Sequence, residues 1–328
     1  MNTRQTLWFL AKVTFAVGVV VWLLSKVDAA QVWSYLRSAY PRPVLLGLAV
    51  GVVMVGLASW RWVILLRVFG LPLPWRQLFC INWIGQFFMM FLPGPAGDDI
   101  TRMLYISRLA KGRVGLACST VLIDRCVGLS SVFVLSVFCL PLQWALLAGN
   151  TQTRLLAFVV VAGGLCVAVA GLLFLLGGGG GGLVFRLVRL LPSGKLRATL
   201  EESWHLLCAN KGTLFSVFAI ALLTQLMNCA ALYCAGQAVG ISASLATWCS
   251  FVPVVLAANI LPITVAGLGV REYLLVLFLG VLAGTTPEQA LAASAVAFGM
   301  MLVVCLGGGL VYLFYRPENR GSSPSADS

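Results

Sequence analysis

Long apolar runs separated by polar connections dominate the pattern of this chain, at 7–24, 44–60, 78–92, 114–140, 155–176, 214–239, 245–261, 273–283 and 290–315. A helix needs roughly 20 apolar residues to cross a bilayer, so the pattern predicts about seven to nine transmembrane helices. The fold class is then all-α, a polytopic helical membrane protein. Two places do not read as plain crossings. The run at 78–92 is short and ends in Pro93-Gly94-Pro95, and the run at 245–261 ends at Pro262. Backbone freed by proline and glycine at membrane depth is tolerated only where protein or a wet cavity covers it. Re-entrant or broken helices are therefore expected at both places. The first run follows Arg4 but lacks a small-residue cleavage site, so it reads as a retained helix rather than a leader.

Composition sharpens this picture. Of 328 residues, 60% are hydrophobic and only 10% charged, whereas a soluble domain is roughly one quarter charged. A soluble enzyme and a disordered chain are both excluded. The net charge of +12 would suit nucleic acid in another setting, but in so apolar a chain it fits loops that obey the positive-inside bias and meet anionic headgroups. His205 is the single histidine, and the ten cysteines show no metal-ligand spacing. No metal or cofactor is expected.

The longest polar connection, 177–212, opens on a flexible spacer of glycines, Gly177 to Gly182. Beyond it, 183–191 reads either as a short basic helix in the headgroup layer, with Arg186 and Arg189 among apolar residues, or as an ordinary loop. The connection carries Arg186, Arg189, Lys195, Arg197 and Lys211 against Glu201 and Glu202, which marks it as cytoplasmic. Counting outward from it puts the basic segment 98–113 and the tail after Arg316 on the same side, and Arg61, Arg67, Arg76 and the N-terminus join them if the run at 78–92 dips in and returns. The expected organisation is one integral membrane domain over 1–315, with a disordered cytoplasmic tail at 316–328.

Charged residues inside the apolar runs carry the functional signal, because each costs roughly 2.5–3.5 kcal/mol to insert near the bilayer centre. The densest group is Pro93-Gly94-Pro95-Ala96-Gly97-Asp98-Asp99-Ile100-Thr101-Arg102. Asp98 or Asp99 can cap the helix that restarts there, and Asp99 stands at ion-pair spacing from Arg102. Asn82 and Gln86 share a helical face just before the break. A second group follows Pro262: Gly267-Leu268-Gly269-Val270-Arg271-Glu272, with Asn259 before the proline. In both, the arginine lies nine residues after the proline. Interrupted segments at matching places in two halves point to a transporter's binding site. The third group is Asp124-Arg125, whose side chains diverge by about 100° on a helix and so should reach other helices; Arg102 and Glu272 are candidate partners. Arg61, between Trp60 and Trp62, reads as an interfacial anchor.

Taken together, these three groups resemble the lysylphosphatidylglycerol synthase transmembrane-region family of flippase-like membrane proteins, over roughly residues 7 to 315. The resemblance implies a protein of the bacterial-type inner membrane that moves an anionic amphiphile between leaflets: a phospholipid, glycolipid or polyprenyl-linked sugar. It places Asp98 or Asp99, Arg102, Asp124, Arg125, Arg271 and Glu272 on the substrate route, to which the residue pattern itself adds Asn82 and Gln86 as polar lining. Pro93, Gly94, Gly97, Pro262, Gly267 and Gly269 become hinges. The family pattern has two glycines before its acidic residue; Asp98 occupies the second here, so either Asp98 or Asp99 stands in that role. The soluble aminoacylating domain of the best-known members has no counterpart in this sequence, and synthase activity is not implied. Two other readings stay open: a membrane glycosyltransferase using Asp98 and Asp99 on a lipid-linked sugar, and a non-catalytic partner of a lipid-modifying enzyme.

Overall fold

A computed structural model describes residues 29–90, 96–110, 112–139, 141, 149, 151–176, 194–260 and 269–315. The first apolar run, the glycine spacer, the segment 183–191, the tail, and the hinge positions Pro93, Gly94, Pro262 and Gly267 lie outside these residues. Every described element is a helix: α1 (Ala29–Arg37), α2 (Pro41–Val68), α3 (Trp75–Met89), α4 (Ala96–Leu109), α5 (Val114–Cys139), α6 (Thr151–Leu176), α7 (Lys195–Ala209), α8 (Lys211–Ala238), α9 (Leu245–Ile260), α10 (Val270–Ala283) and α11 (Pro287–Phe314). Four of them, α2, α5, α8 and α11, are long and apolar enough to cross a membrane. The molecule is an all-helical, multi-pass membrane protein.

Three helices lie where the pattern predicted connections. One is α4, whose 14 residues include Asp98, Asp99, Arg102 and Arg108 and so read as a polar segment. Another is α7, inside the long connection, docked on the start of α5 through Ser119–Ser203 at 2.9 Å and Arg113–Glu202 at 3.1 Å. The third is α1. Charge hides a helix from a hydropathy reading without preventing one.

The helices form two repeats of one plan: a long helix, two short helices around a break, and a second long helix. The first repeat is α2, α3, α4, α5; the second is α8, α9, α10, α11. At 14 to 16 residues and 1.5 Å per residue, each short helix reaches only about 21–24 Å, less than the roughly 30 Å hydrocarbon core. Each pair instead folds back as a hairpin. In hairpin 1 (α3–α4), Gly85 faces Asp98 and Gly97 sits against the backbone of Phe88 and Met89. In hairpin 2 (α9–α10), the rings of Phe251 and Phe278 stack 5.5 Å apart.

The two repeats even end their first helix alike. Gly70 (φ +68°) and Gly240 (φ +81°) take the left-handed conformation open to glycine. The amide of Gly70 donates to the Arg67 carbonyl and that of Leu71 to Leu66, at 3.1 and 2.9 Å; Gly240 to Gln237 and Ile241 to Gly236 repeat both bonds at 3.1 and 2.9 Å.

Contacts fix how the repeats are oriented. The Tyr40 amide at the start of α2 donates to the Ala238 carbonyl at the end of α8, 2.8 Å away, and Gly47 faces Cys234, so α2 and α8 run antiparallel. Gly47 and Gly51 of α2 meet Met300 and Val304 of α11, which makes that pair parallel. The repeats are therefore inverted, and their hairpins fall at opposite ends of the bundle. Hairpin 1 packs on the last third of α2 and the first half of α5, around buried Trp62, Leu66, Leu78, Ile81, Ile106 and Val121. Hairpin 2 packs on the second half of α5 and the first turns of α11, around Leu135, Trp248, Phe251, Leu275, Phe278 and Ala293.

Candidate functional site

From Ser59 to Leu66, α2 is buried almost all round, wedged between hairpin 1 and α5. Arg61 is part of this stretch and is only 7% exposed. Its guanidinium grips Asp124 of α5 with two bonds, Nε to Oδ1 at 2.6 Å and Nη2 to Oδ2 at 3.0 Å. This corrects the reading of Arg61 as an interfacial anchor. The apolar run stops at Trp60, but the helix continues to Val68 and carries the charge inward. The flanking tryptophans divide accordingly: Trp60 is half exposed at 49% and Trp62 fully buried.

Asp124 holds a second arginine. Arg102 of α4 donates from Nη2 to Asp124 Oδ2 at 3.0 Å, and its guanidinium lies over the Trp62 ring, 4.2 Å from the centroid. Trp62 is fixed in turn by its indole N–H donating to Thr120 Oγ1 at 3.1 Å. The expected pairing of Asp99 with Arg102 is not the one formed. Arg102 approaches Asp98 one turn earlier, at 3.8 Å, while Asp99 pairs with Arg125 at 3.1 Å. Spacing along α4 permits either partner; Arg125, arriving from α5, draws Asp99 away. Asp124 and Arg125 thus serve different elements, as their divergence on the helix requires.

Three arginines and three aspartates meet here: Arg61, Arg102 and Arg125 with Asp98, Asp99 and Asp124. The inner pairs are nearly dry, and Arg125–Asp99 forms a wetter rim, with side chains 33% and 21% exposed. Some polar atoms remain unused. Asp98 Oδ1, Asp99 Oδ1, Arg102 Nε and Arg125 Nη2 are buried without a hydrogen-bond partner among the described residues; Arg125 Nη2 stands 3.1 Å from Asp99 Oδ2 without bonding geometry. Asp98 Oδ1 points at Gly85, where any side chain would collide with it.

Asn82 is buried and turned toward α2, donating to Ser59 Oγ at 3.2 Å and the Val55 carbonyl at 3.4 Å. Gln86, one turn on, is half-buried. Both thus lie in the short helix that leads to the break, with Asn82 fastening it to α2.

Hairpin 2 carries a smaller counterpart at the other end. Gly269 has φ +89°, and its amide donates to Glu272 Oε2 at 2.5 Å, capping α10. Arg271, 8% exposed, closes on Glu272 Oε1 with Nη2 at 2.7 Å and on Ser294 Oγ of α11 with Nε at 3.2 Å. The Ser294 hydroxyl also donates to Glu272 Oε1 at 2.9 Å. Glu272 therefore does not reach Asp124 or Arg125; it pairs with its own neighbour, which a long arginine in the first helical turn allows.

The two sites correspond in register. Arg102 and Arg271 follow the breaks at the same distance, and each reaches the final long helix of its repeat, α5 or α11. Sequence reasoning missed Arg61, Trp62, Thr120 and Ser294. Only Arg61 left a trace, as an arginine embedded between two tryptophans.

A comparison with curated proteins gives no match. A model of the lysylphosphatidylglycerol synthase TM region matches residues 9–309, spanning both repeats and both breaks. The chain belongs to that family, a membrane family of lipid-related function.

Proposed function

We propose that this protein is a translocase that moves an anionic lipid or lipid-linked sugar between the leaflets of the inner membrane. One observation carries the reading: two broken hairpins enter from opposite ends of an inverted repeat, each with a buried arginine in the same register. Inverted repeats with interrupted helices supply a polar path reachable from both leaflets while the acyl chains stay in the bilayer. Arginine suits a phosphate because its planar fork can donate two parallel hydrogen bonds. Arg102, Asp98 and Asp99 at one end, and Arg271 with Glu272 at the other, are the residues that would meet the headgroup. Gly97 and Gly269 would flex beside them.

Orientation follows from the surface. Arg67, Arg76, Arg108 and Arg113 are exposed around the mouth of hairpin 1, which supports a cytoplasmic position for that end and for both termini. The anionic leaflet surface would concentrate lipids at the same mouth. The paired state of Asp98 and Asp99, each drawn to a different arginine, weighs against the glycosyltransferase reading, which needs two carboxylates acting on one metal or one base position.

The test is reconstitution into vesicles that carry fluorescent phosphatidylglycerol, phosphatidylcholine or a polyprenyl-phosphate sugar, with outer-leaflet dye quenched chemically. Protein-dependent loss of protected dye is expected for the anionic lipids, and Arg271→Ala should abolish it. Protection equal to that of empty vesicles across the whole panel would sink the proposal.

A further inference from the structure

We propose that the hairpin 1 cluster takes up a phosphate-type anion together with one proton, and that Asp98 is the proton carrier. The inference rests on the translocase reading for its site and goes beyond it in naming what is bound.

The charge count comes first. With every carboxylate ionised, three aspartates balance three arginines. An incoming anion would leave a buried net negative charge, which apolar surroundings strongly disfavour. Adding a proton with the anion keeps the site neutral. No other balancing group is near among the described residues. From α2 the facing charge is Arg61, from α5 Asp124 and Arg125, and from α4 itself Asp99 and Arg102, while α11 presents the titratable but uncharged thiol of Cys305; α3 offers Gly85, and residues 91–95 include no ionisable side chain.

Geometry then selects the carboxylate. Asp124 is held by two arginines at 2.6 to 3.0 Å, and Asp99 by one at 3.1 Å. Asp98 is the least secured, with Arg102 at 3.8 Å and its other oxygen unbonded. Protonating it releases the arginine that already has a spare buried donor, Nε, in a side chain only 5% exposed. An unfilled buried donor is costly, and a phosphate oxygen is a fitting acceptor for it. The same loss of charge on Asp98 thus leaves the site net positive and loosens its hold on the arginine that would meet the anion.

Binding, not transport, tests this, so a failed translocase does not decide it. Full-length protein in a zwitterionic detergent is titrated by calorimetry with dihexanoyl-phosphatidylglycerol and, separately, with inorganic phosphate. Buffers of different ionisation enthalpy then report protons taken up per anion. One proton per anion is expected for at least one probe. Binding of the lipid alone identifies a headgroup site, and binding of both identifies a general phosphate site. Affinity should be level where Asp98 is already protonated and weaken by about tenfold per pH unit once it has ionised. Asp98→Asn should bind without pH dependence, at least as tightly as the wild type at its acidic limit. Asp99→Asn should keep the pH slope. Anion binding with no proton uptake, binding of neither probe, or an Asp98→Asn protein that keeps the slope would each overturn the proposal. The proton count needs only the wild-type protein, so it stands even where a variant does not fold.

Discussion

Asp124 shows how much one buried carboxylate can organise. It is 1% exposed and carries both Arg61 and Arg102, so its removal leaves two cations in an apolar site. Breaking a buried pair in this way costs about 3–5 kcal/mol. Asp124→Asn should therefore lower the thermal unfolding temperature sharply, as measured by tryptophan fluorescence in detergent, and combining it with Arg61→Gln should recover part of the loss. Additive losses in the two variants would contradict the pairing. This network also marks where residue-level legibility ended. That Asp124 and Arg125 serve different elements followed from helical geometry alone. Which aspartate meets Arg102 did not, because the competitor, Arg125, sits 26 positions from Asp99 and only the packing of α4 on α5 brings it near. Arg61 is illegible in a hydropathy pattern, because a charge at the end of an apolar run looks the same whether the helix stops there or carries it inward.

Hairpins and caps decide matters at the scale of elements. Gly97 lies so close to α3 that an added Cβ would stand 2.5 Å from the Phe88 carbonyl oxygen and 2.8 Å from Met89 Cα. Backbone cannot step aside as a side chain can, so Gly97→Ala should pry α4 from α3. Faster hydrogen exchange across 75–109, with 245–283 unchanged, is the expected signature. The caps offer a finer comparison. Gly240→Ala forces a left-handed alanine, at about 1–2 kcal/mol, whereas Gly280, exposed inside α10 with nothing within 4 Å of an added Cβ, should gain about 0.5–1 kcal/mol as alanine. Unfolding in mixed micelles should give the two substitutions opposite signs. The long helices were plain in the sequence because each is an apolar run. The helix α4 was not, since its polar side chains face partners that no hydropathy average can represent.

Across the whole molecule, the inverted repeat predicts which surfaces stay fixed while hairpins move. The α2–α8 pair joins the repeats, and a Cβ added at Gly47 would lie 3.3 Å from that of Cys234, near the separation a disulfide needs. In a background stripped of other cysteines, Gly47→Cys should oxidise onto Cys234, with Met300 shifting to make room. Mass spectrometry of the joined peptides would establish the antiparallel register, and leaflet exchange should survive the bond if α2–α8 is the static axis. The matching proline-to-arginine spacing had already disclosed two related halves; their inversion came only with the contacts. The repeats are also unequal, for among the described residues the hairpin 1 end holds four arginine–aspartate pairings against one arginine–glutamate pair at the other. Detailed balance limits what that inequality can accomplish. A deeper well on one face changes how long a passenger rests there and how quickly it leaves, but not its final ratio between leaflets. Any lasting enrichment of one leaflet must come from a gradient outside the protein, and a proton carried with the passenger is the means by which such a gradient would enter.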